Sequence, residues 1–298
     1  MKLSLFSTLR GYRKEYLPKD IFSGIIIAAV SIPISMGYAQ ISGIPAVYGL
    51  YGSVLPILLF ALFSTSRQFI FGVDAAPAAI VGGALSTLGI AAESEAAMDY
   101  VPAIALFAGL WLFIFFLLHA DKIVDFISTP VMGGFISGIA VTIILMQIPK
   151  LMGSPAGSGE LLELAEHIFA AAKTISWLSL FMGLGALVLI RTFKKLAPKF
   201  PMAIVIMALG VLSTVVFHVD EKGVVLLQSV ERGLPSLVIP DFGNIDLTQA
   251  AGRGLMVAVV IMAETLLAEN TFAFRNDYKL NDRQEILACA AGNIAAAA

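Results

Sequence analysis

Apolar residues run along this chain in long unbroken blocks with short polar stretches between them, without the alternation of a half-buried strand. A helix that crosses a bilayer needs about 20 mostly apolar residues. Blocks of that kind lie at 21–39, 47–63, 75–91, 100–118, 123–148, 174–190, 201–218 and 248–268. A ninth apolar stretch begins after Arg283 and continues to Ala298. The pattern predicts an all-α polytopic membrane protein, with eight spans and the beginning of a ninth. Its layout is a polar N-terminal segment at 1–19, seven spans over 20–218, a longer loop at 219–247, and span eight with the start of span nine over 248–298.

Composition supports the same reading. Of 298 residues, 58% are hydrophobic and 13% charged, against about a quarter charged in soluble domains. Too few charged side chains remain to cover a surface facing water, which excludes a soluble globule. The 19 basic and 21 acidic residues give a net charge of −2 and no bias towards nucleic acid. One cysteine, Cys289, excludes an intrachain disulfide. His119, His167 and His218 are scattered without ligand spacing, so no metal site and no cofactor are expected.

The basic residues also orient the spans, because Lys and Arg concentrate in cytoplasmic loops. With a cytoplasmic N-terminus, fourteen of the 19 fall inside: Lys2, Arg10, Arg13, Lys14, Lys19, Arg67, Lys122, Arg191, Lys194, Lys195, Lys199, Arg275, Lys279 and Arg283. The other five, Lys150, Lys173, Lys222, Arg232 and Arg253, fall outside. Residues 1–39 also have the basic stretch, apolar run and small-residue end of a cleavable signal, at Gly37-Tyr38-Ala39. The uncleaved span is the better reading, since cleavage would remove the inside anchor and leave the same charge bias in the next seven spans. The segment 158–172 sets Leu161, Leu162, Leu164, Ala165, Ile168 and Phe169 against Glu160, Glu163, Glu166 and His167. It predicts a short interfacial helix, with His167 solvated.

Two places depart from smooth apolar helix, and such breaks are tolerated in lipid only where the freed backbone faces protein or a watery cavity. In span one, Ser31-Ile32-Pro33-Ile34-Ser35 puts a proline in mid-helix, which predicts a helix break at Ser31 and Pro33 or a kink repaired by the serines. Before span three, residues 67–73 are too short and too mixed to cross, and Asp74-Ala75-Ala76-Pro77 then carries helix-start signals. A half-helix starting at mid-depth aims unpaired N–H groups and a partial positive charge at whatever precedes it, a setting that suits an anion. An ordinary loop before a capped helix is the plainer alternative. Span eight contains Glu264, and an acidic side chain there costs about 3 kcal/mol on insertion scales. That cost favours an ion or proton role over a structural hydrogen bond. Glu269, nearer the end of the span, is expected to be interfacial.

A combination of residues resembles the sulfate permease (SulP) family of anion transporters from Asp20 to the end of the chain. It begins with Asp20, Gly24, Pro33, Tyr38-Ala39, Gly43, Pro45 and Tyr48-Gly49-Leu50-Tyr51. It continues with Pro56, Thr65-Ser66-Arg67, Gly72 and Pro130-Val131-Met132-Gly133-Gly134-Phe135. Gly233-Leu234-Pro235, Pro240, Glu264, Gln284-Glu285 and Gly292-Asn293-Ile294 complete it. The resemblance implies part of a 7+7 inverted-repeat transporter fold, with half-helices and short strands at the substrate site. In that fold 20–218 is the first repeat and 248–298 an incomplete start of the second. Substrate would bind at Tyr38, Asp74, Ala75 and Ala76, on the third-span half-helix opposite another from the tenth span. Three departures stand out: Ile34 replaces a common Gln, Asp74 replaces a Thr or aromatic residue, and the STAS domain that usually follows the membrane part is not in the sequence.

The expected function is secondary active transport of a small inorganic anion or carboxylate, of the sulfate, bicarbonate or dicarboxylate class, by alternating access. Glu264 is expected to couple it to protons or sodium. Expected partners are the anion, the coupling ion and the lipid of a bacterial-type plasma membrane. A homodimer is compatible with the fold, although Gly134-Phe135-Ile136-Ser137-Gly138 reads first as packing within one chain. A nucleobase-type permease of the same fold is the nearest alternative, followed by a structural or motor-like membrane protein. An enzyme is not expected, because neither a Gly-x-Ser-x-Gly nor a His-Glu-x-x-His run occurs. The second repeat is represented only by its start, so these 298 residues by themselves are not expected to transport.

Overall fold

The computed structural model describes residues 5–9, 11–124, 129–155, 157, 161–196, 202–226, 242–243 and 245–298. Gly233-Leu234-Pro235, Pro240, Glu160 and the basic residues Lys2, Arg10, Lys199 and Arg232 lie outside them. In chain order the α-helices are α1 (Leu17–Ile41), α2 (Ala46–Tyr51), α3 (Leu55–Phe63), α4 (Ala75–Thr87), α5 (Glu95–Leu118) and α6 (Asp121–Val124). They continue with α7 (Thr129–Leu151), α8 (Leu161–Lys173), α9 (Trp177–Leu196), α10 (Met202–Phe217), α11 (Leu247–Arg275) and α12 (Asp282–Ala296).

Among the described residues, five helical segments are long and apolar enough to cross a bilayer: Lys14–Ile41, Ala46–Phe63, Glu95–Leu118, Trp177–Leu196 and Leu247–Arg275. The other three predicted blocks hold shorter apolar helices, at Ala75–Thr87, Ser137–Leu151 and Ile204–Phe217. The block at 47–63 is interrupted at Gly52-Ser53-Val54, where α2 stops and α3 starts with Pro56 in its first turn. Proline suits that position because the first-turn N–H groups have no intrahelical partner.

The chain forms two compact units. The first comprises Met1–Lys14, Ser35–Ile139 and Val230–Ala298. Its core lies where α12 packs on α5 and α3, and α11 packs on α5. Ile104 and Leu112 of α5, Val257, Ala258 and Leu266 of α11, and Ile286, Ala288 and Ala290 of α12 are all buried there. Alanines on α12 let the helix axes approach closely, which is how helices associate where lipid supplies no hydrophobic drive. The α11 helix is further tied to α5 by Trp111, whose Nε1 donates to the carbonyl of Ala251 at 3.0 Å. His119 ends α5 in the left-handed conformation, at φ 58°.

The second unit comprises Glu15–Ile34 and Ala140–Ser229. Within it α9 packs on α10, and α9 has no buried residue although it is apolar over most of its length. The α8 helix buries Leu164 and Ala171 and exposes Leu162 and Phe169. The α1 helix runs continuously from Leu17 to Ile41 with Pro33 inside it. Ser31 and Pro33 therefore do not mark the helix break expected there. A proline removes one hydrogen bond from the ladder, and the turns on either side carry the helix across the gap.

Candidate functional site

The candidate site is built in the first unit around the start of α4. Thirteen residues make α4 about 20 Å long, well short of the ~30 Å hydrocarbon core. It starts at Ala75, as the capping signals predict, and Asp74 is its N-cap in an extended conformation. The Asp74 Oδ1 accepts a hydrogen bond from the Ala75 N–H at 2.6 Å, and the N–H of Ala78 reaches the Asp74 carbonyl at 3.2 Å. Pro77 has no N–H to offer. Of the first-turn donors, that of Ala76 is the one remaining for a ligand.

Residues 64–74 lead into this N-terminus as an extended segment, and among the described residues no β-strand forms. The short strands implied by the resemblance do not form among the described residues, and near the start of the segment side chains accept from three backbone N–H groups. The Thr65 N–H donates to Glu285 Oε1 at 2.5 Å, the Ser66 N–H to Ser64 Oγ at 3.0 Å and the Phe69 N–H to Ser66 Oγ at 3.3 Å. Further along, the Phe71 ring stacks on Phe60 of α3, with centroids 4.7 Å apart. On the other side Phe71 presses on Gly292 of α12, where an added Cβ would come within 2.6 Å of the ring. The segment is therefore clamped between α3 and α12, and its last residue, Asp74, is held in place.

Two other elements bring polar side chains to the same point. Glu264, half-buried on α11, has its carboxyl within hydrogen-bonding reach of the Asp74 carboxyl. Its Oε2 is buried and accepts no hydrogen bond. Tyr38, half-buried on α1, is close enough for the charge of Asp74 to act on its hydroxyl. The end of α1 is seated against α4 at Gly82, where an added Cβ would lie 2.1 Å from the Ile41 carbonyl oxygen. Nearby, Ser53 Oγ donates to Ser35 Oγ at 2.9 Å, three residues before Tyr38.

Asp74, Ala75 and Ala76 thus form one helix start, with the Glu264 carboxyl beside Asp74 and Tyr38 within range of the Asp74 charge. Ser31 and Pro33 belong to the second unit. Glu269 is not interfacial: it is fully buried, on the face of α11 turned towards Glu285 of α12. The anchoring roles of Ser64, Thr65, Gln284 and Glu285 escape sequence reasoning. Gln284 Nε2 donates to the Phe63 carbonyl at 2.6 Å, and Ser64 Oγ donates to Glu285 Oε2 at 2.7 Å. The available signal was Gln284-Glu285 itself, the end of the polar run Asp282-Arg283-Gln284-Glu285 that opens an otherwise largely apolar helix.

Comparison with known proteins gives a consistent result. A "Probable sulfate transporter" of Mycobacterium tuberculosis is 27% identical over 288 residues, covering 96% of this chain and 51% of that protein. "Sulfate transporter 4.1, chloroplastic" of Arabidopsis thaliana is 30% identical over 302 residues, covering 97% of this chain and 43% of that protein. The chain spans about half the length of these relatives. Among solved structures, the transmembrane domain of the cyanobacterial bicarbonate transporter BicA matches with a TM-score of 0.81 at 18% identity, covering 96% of this chain and 73% of that one. Murine Slc26a9, described as an anion transporter in the inward-facing state, matches at 0.84 and 17% identity, covering 98% of this chain and 52% of that one. These likenesses give the fold, that of part of a 7+7 inverted-repeat membrane domain. The Sulfate permease family matches residues 17–298, nearly the whole sequence, and this multi-pass membrane chain belongs to that family.

Proposed function

We propose that the chain is the substrate-bearing part of a secondary active transporter for a small inorganic anion or carboxylate, not an enzyme. The observation that carries this reading is the start of α4, capped by Asp74 and faced by Glu264 and Tyr38. The start of α4 favours negative charge through the helix dipole and the remaining first-turn N–H, that of Ala76. The two carboxyls oppose it while both are ionised. Protonation of the Asp74–Glu264 pair removes that opposition, so an anion and a proton enter together and the site couples one to the other. Tyr38 offers a hydroxyl donor from the α1 side. A sodium ion held by the same carboxyls would cancel their charge in the same way. Membership of the sulfate permease family, and relatives whose names specify sulfate or bicarbonate, support reading these oxyanions as the first candidate substrates.

The test is uptake of radiolabelled sulfate, bicarbonate, fumarate and uracil into vesicles containing the chain extended through all fourteen spans, with proton and sodium gradients varied separately. Anion accumulation driven by one of the two gradients is expected. Accumulation of uracil without any anion uptake would overturn the reading in favour of a nucleobase permease.

A further inference from the structure

The α11 helix carries a second acidic side chain that the proposed transport step does not use. Glu269 and Glu285 are both completely buried, and their carboxyls lie within hydrogen-bonding reach of each other. Their surroundings differ. Glu285 Oε2 accepts from Ser64 Oγ at 2.7 Å, and Oε1 accepts from both the N–H and the hydroxyl of Thr65. Three donors converging on one carboxyl are the surroundings of an anion. Among the described residues neither oxygen of Glu269 receives a hydrogen bond, and the carboxyl within bonding reach of it is that of Glu285.

Two buried carboxylates in contact would repel strongly. The charged groups acting on Glu269 are Glu285 and Asp282, both acidic, so they supply no compensation. Cys289, also buried, faces the same pair from α12, beside the hydroxyl of Thr265 on α11. The remaining facing groups are the Ser64 and Thr65 hydroxyls. A single proton resolves the arrangement. Placed on Glu269, it gives that side chain a donor, gives Glu285 a fourth hydrogen bond, and leaves one buried negative charge in the donor cluster.

We infer that Glu269 and Glu285 form a permanent proton-binding site, in which neutral Glu269 donates to anionic Glu285, separate from the pair Asp74 and Glu264. Its ligand is a proton, and its work is structural. The bound proton lets Glu285 clamp the Ser64–Thr65 turn, from which the extended segment runs to Asp74. A proton held by the native state and released on unfolding makes stability fall as pH rises.

Two measurements on the full chain in detergent test this. The first is the thermal unfolding midpoint across neutral to alkaline pH, for the native protein and Glu269→Gln, in sodium and in choline salts. The amide keeps the shape and the hydrogen bond to Glu285 without a titrating proton, so the variant is expected to lose the alkaline fall in midpoint. An unchanged alkaline fall in Glu269→Gln overturns the inference, as does stabilisation by sodium over choline that persists in the double variant Asp74→Asn, Glu264→Gln and is lost in Glu269→Gln. The second is the infrared carbonyl band of a protonated carboxyl in the double variant Asp74→Asn, Glu264→Gln, which silences the other pair. The band is expected to persist there at neutral pH. Its absence overturns the inference even if Glu269→Gln does not fold, and neither measurement depends on transport.

Discussion

The carboxyl of Glu264 lies within hydrogen-bonding reach of the carboxyl of Asp74, although the two residues come from different helices far apart in the sequence. A hydrogen bond between carboxyls uses one proton, so the pair exists in states that differ by a full charge in front of the first turn of α4. Under the proposed function, an anion at that turn would experience the difference directly.

Glu264→Gln keeps the side-chain shape and fixes one member of the pair as neutral. Exchange of labelled for unlabelled anion at equal concentrations should survive, while accumulation driven by a proton or sodium gradient should be lost. Full gradient-driven accumulation by the variant would remove Glu264 from the coupling step.

Asp74→Asn keeps a capping side chain at the start of α4 and removes its charge. In the native protein anion affinity should rise as pH falls, because protonation cancels the negative charge at the helix end. The variant should bind with a flatter pH profile, read from substrate competition at a series of pH values. A profile identical to the native one would rule out this role for Asp74.

Gly82→Ala drives a methyl group into the Ile41 carbonyl, which an undisplaced Cβ would approach to 2.1 Å. Overpacking of this kind costs about 1–3 kcal/mol. A lower unfolding midpoint is expected, with weaker substrate binding because Tyr38 and α4 lose their common seat. An unchanged midpoint would mean that the two backbones do not meet so closely.

Phe71→Ala removes the ring stacked between Phe60 and Gly292. Loss of a buried Phe costs about 3–5 kcal/mol, and this ring is only partly buried, so the low end is expected. Because the residue lies three positions before Asp74, KM should rise more than the exchange rate falls. Equal losses in both would indicate general unfolding instead of a loosened helix start.

How legible all this was in the sequence depends on distance along the chain. The spans follow from apolar blocks, the start of α4 from Asp74 and Pro77, and the oddity of Glu264 from its apolar neighbours. Each is a local signal within one element. The pairing of Glu264 with Asp74, and of Glu285 with Ser64 and Thr65, joins segments about 200 residues apart, and no periodicity reports it. Glu269 was misplaced for the same reason: position along a helix suggests depth, whereas burial is decided by what packs against that face. Pro33 misled in the opposite direction, since a helix-breaking residue in water is compatible with a continuous helix here.

One consequence concerns how α11 can move. Glu264 and Glu269 are about 7.5 Å apart along its axis, one engaged with the cap of α4 and the other with α12. The helix is bolted at two depths to two different neighbours. A slip of one turn, about 5.4 Å, would shear both joints at once and strand an acid in the protein interior. Under the alternating access proposed above, α4, α11 and α12 would travel together, with the sliding surfaces elsewhere.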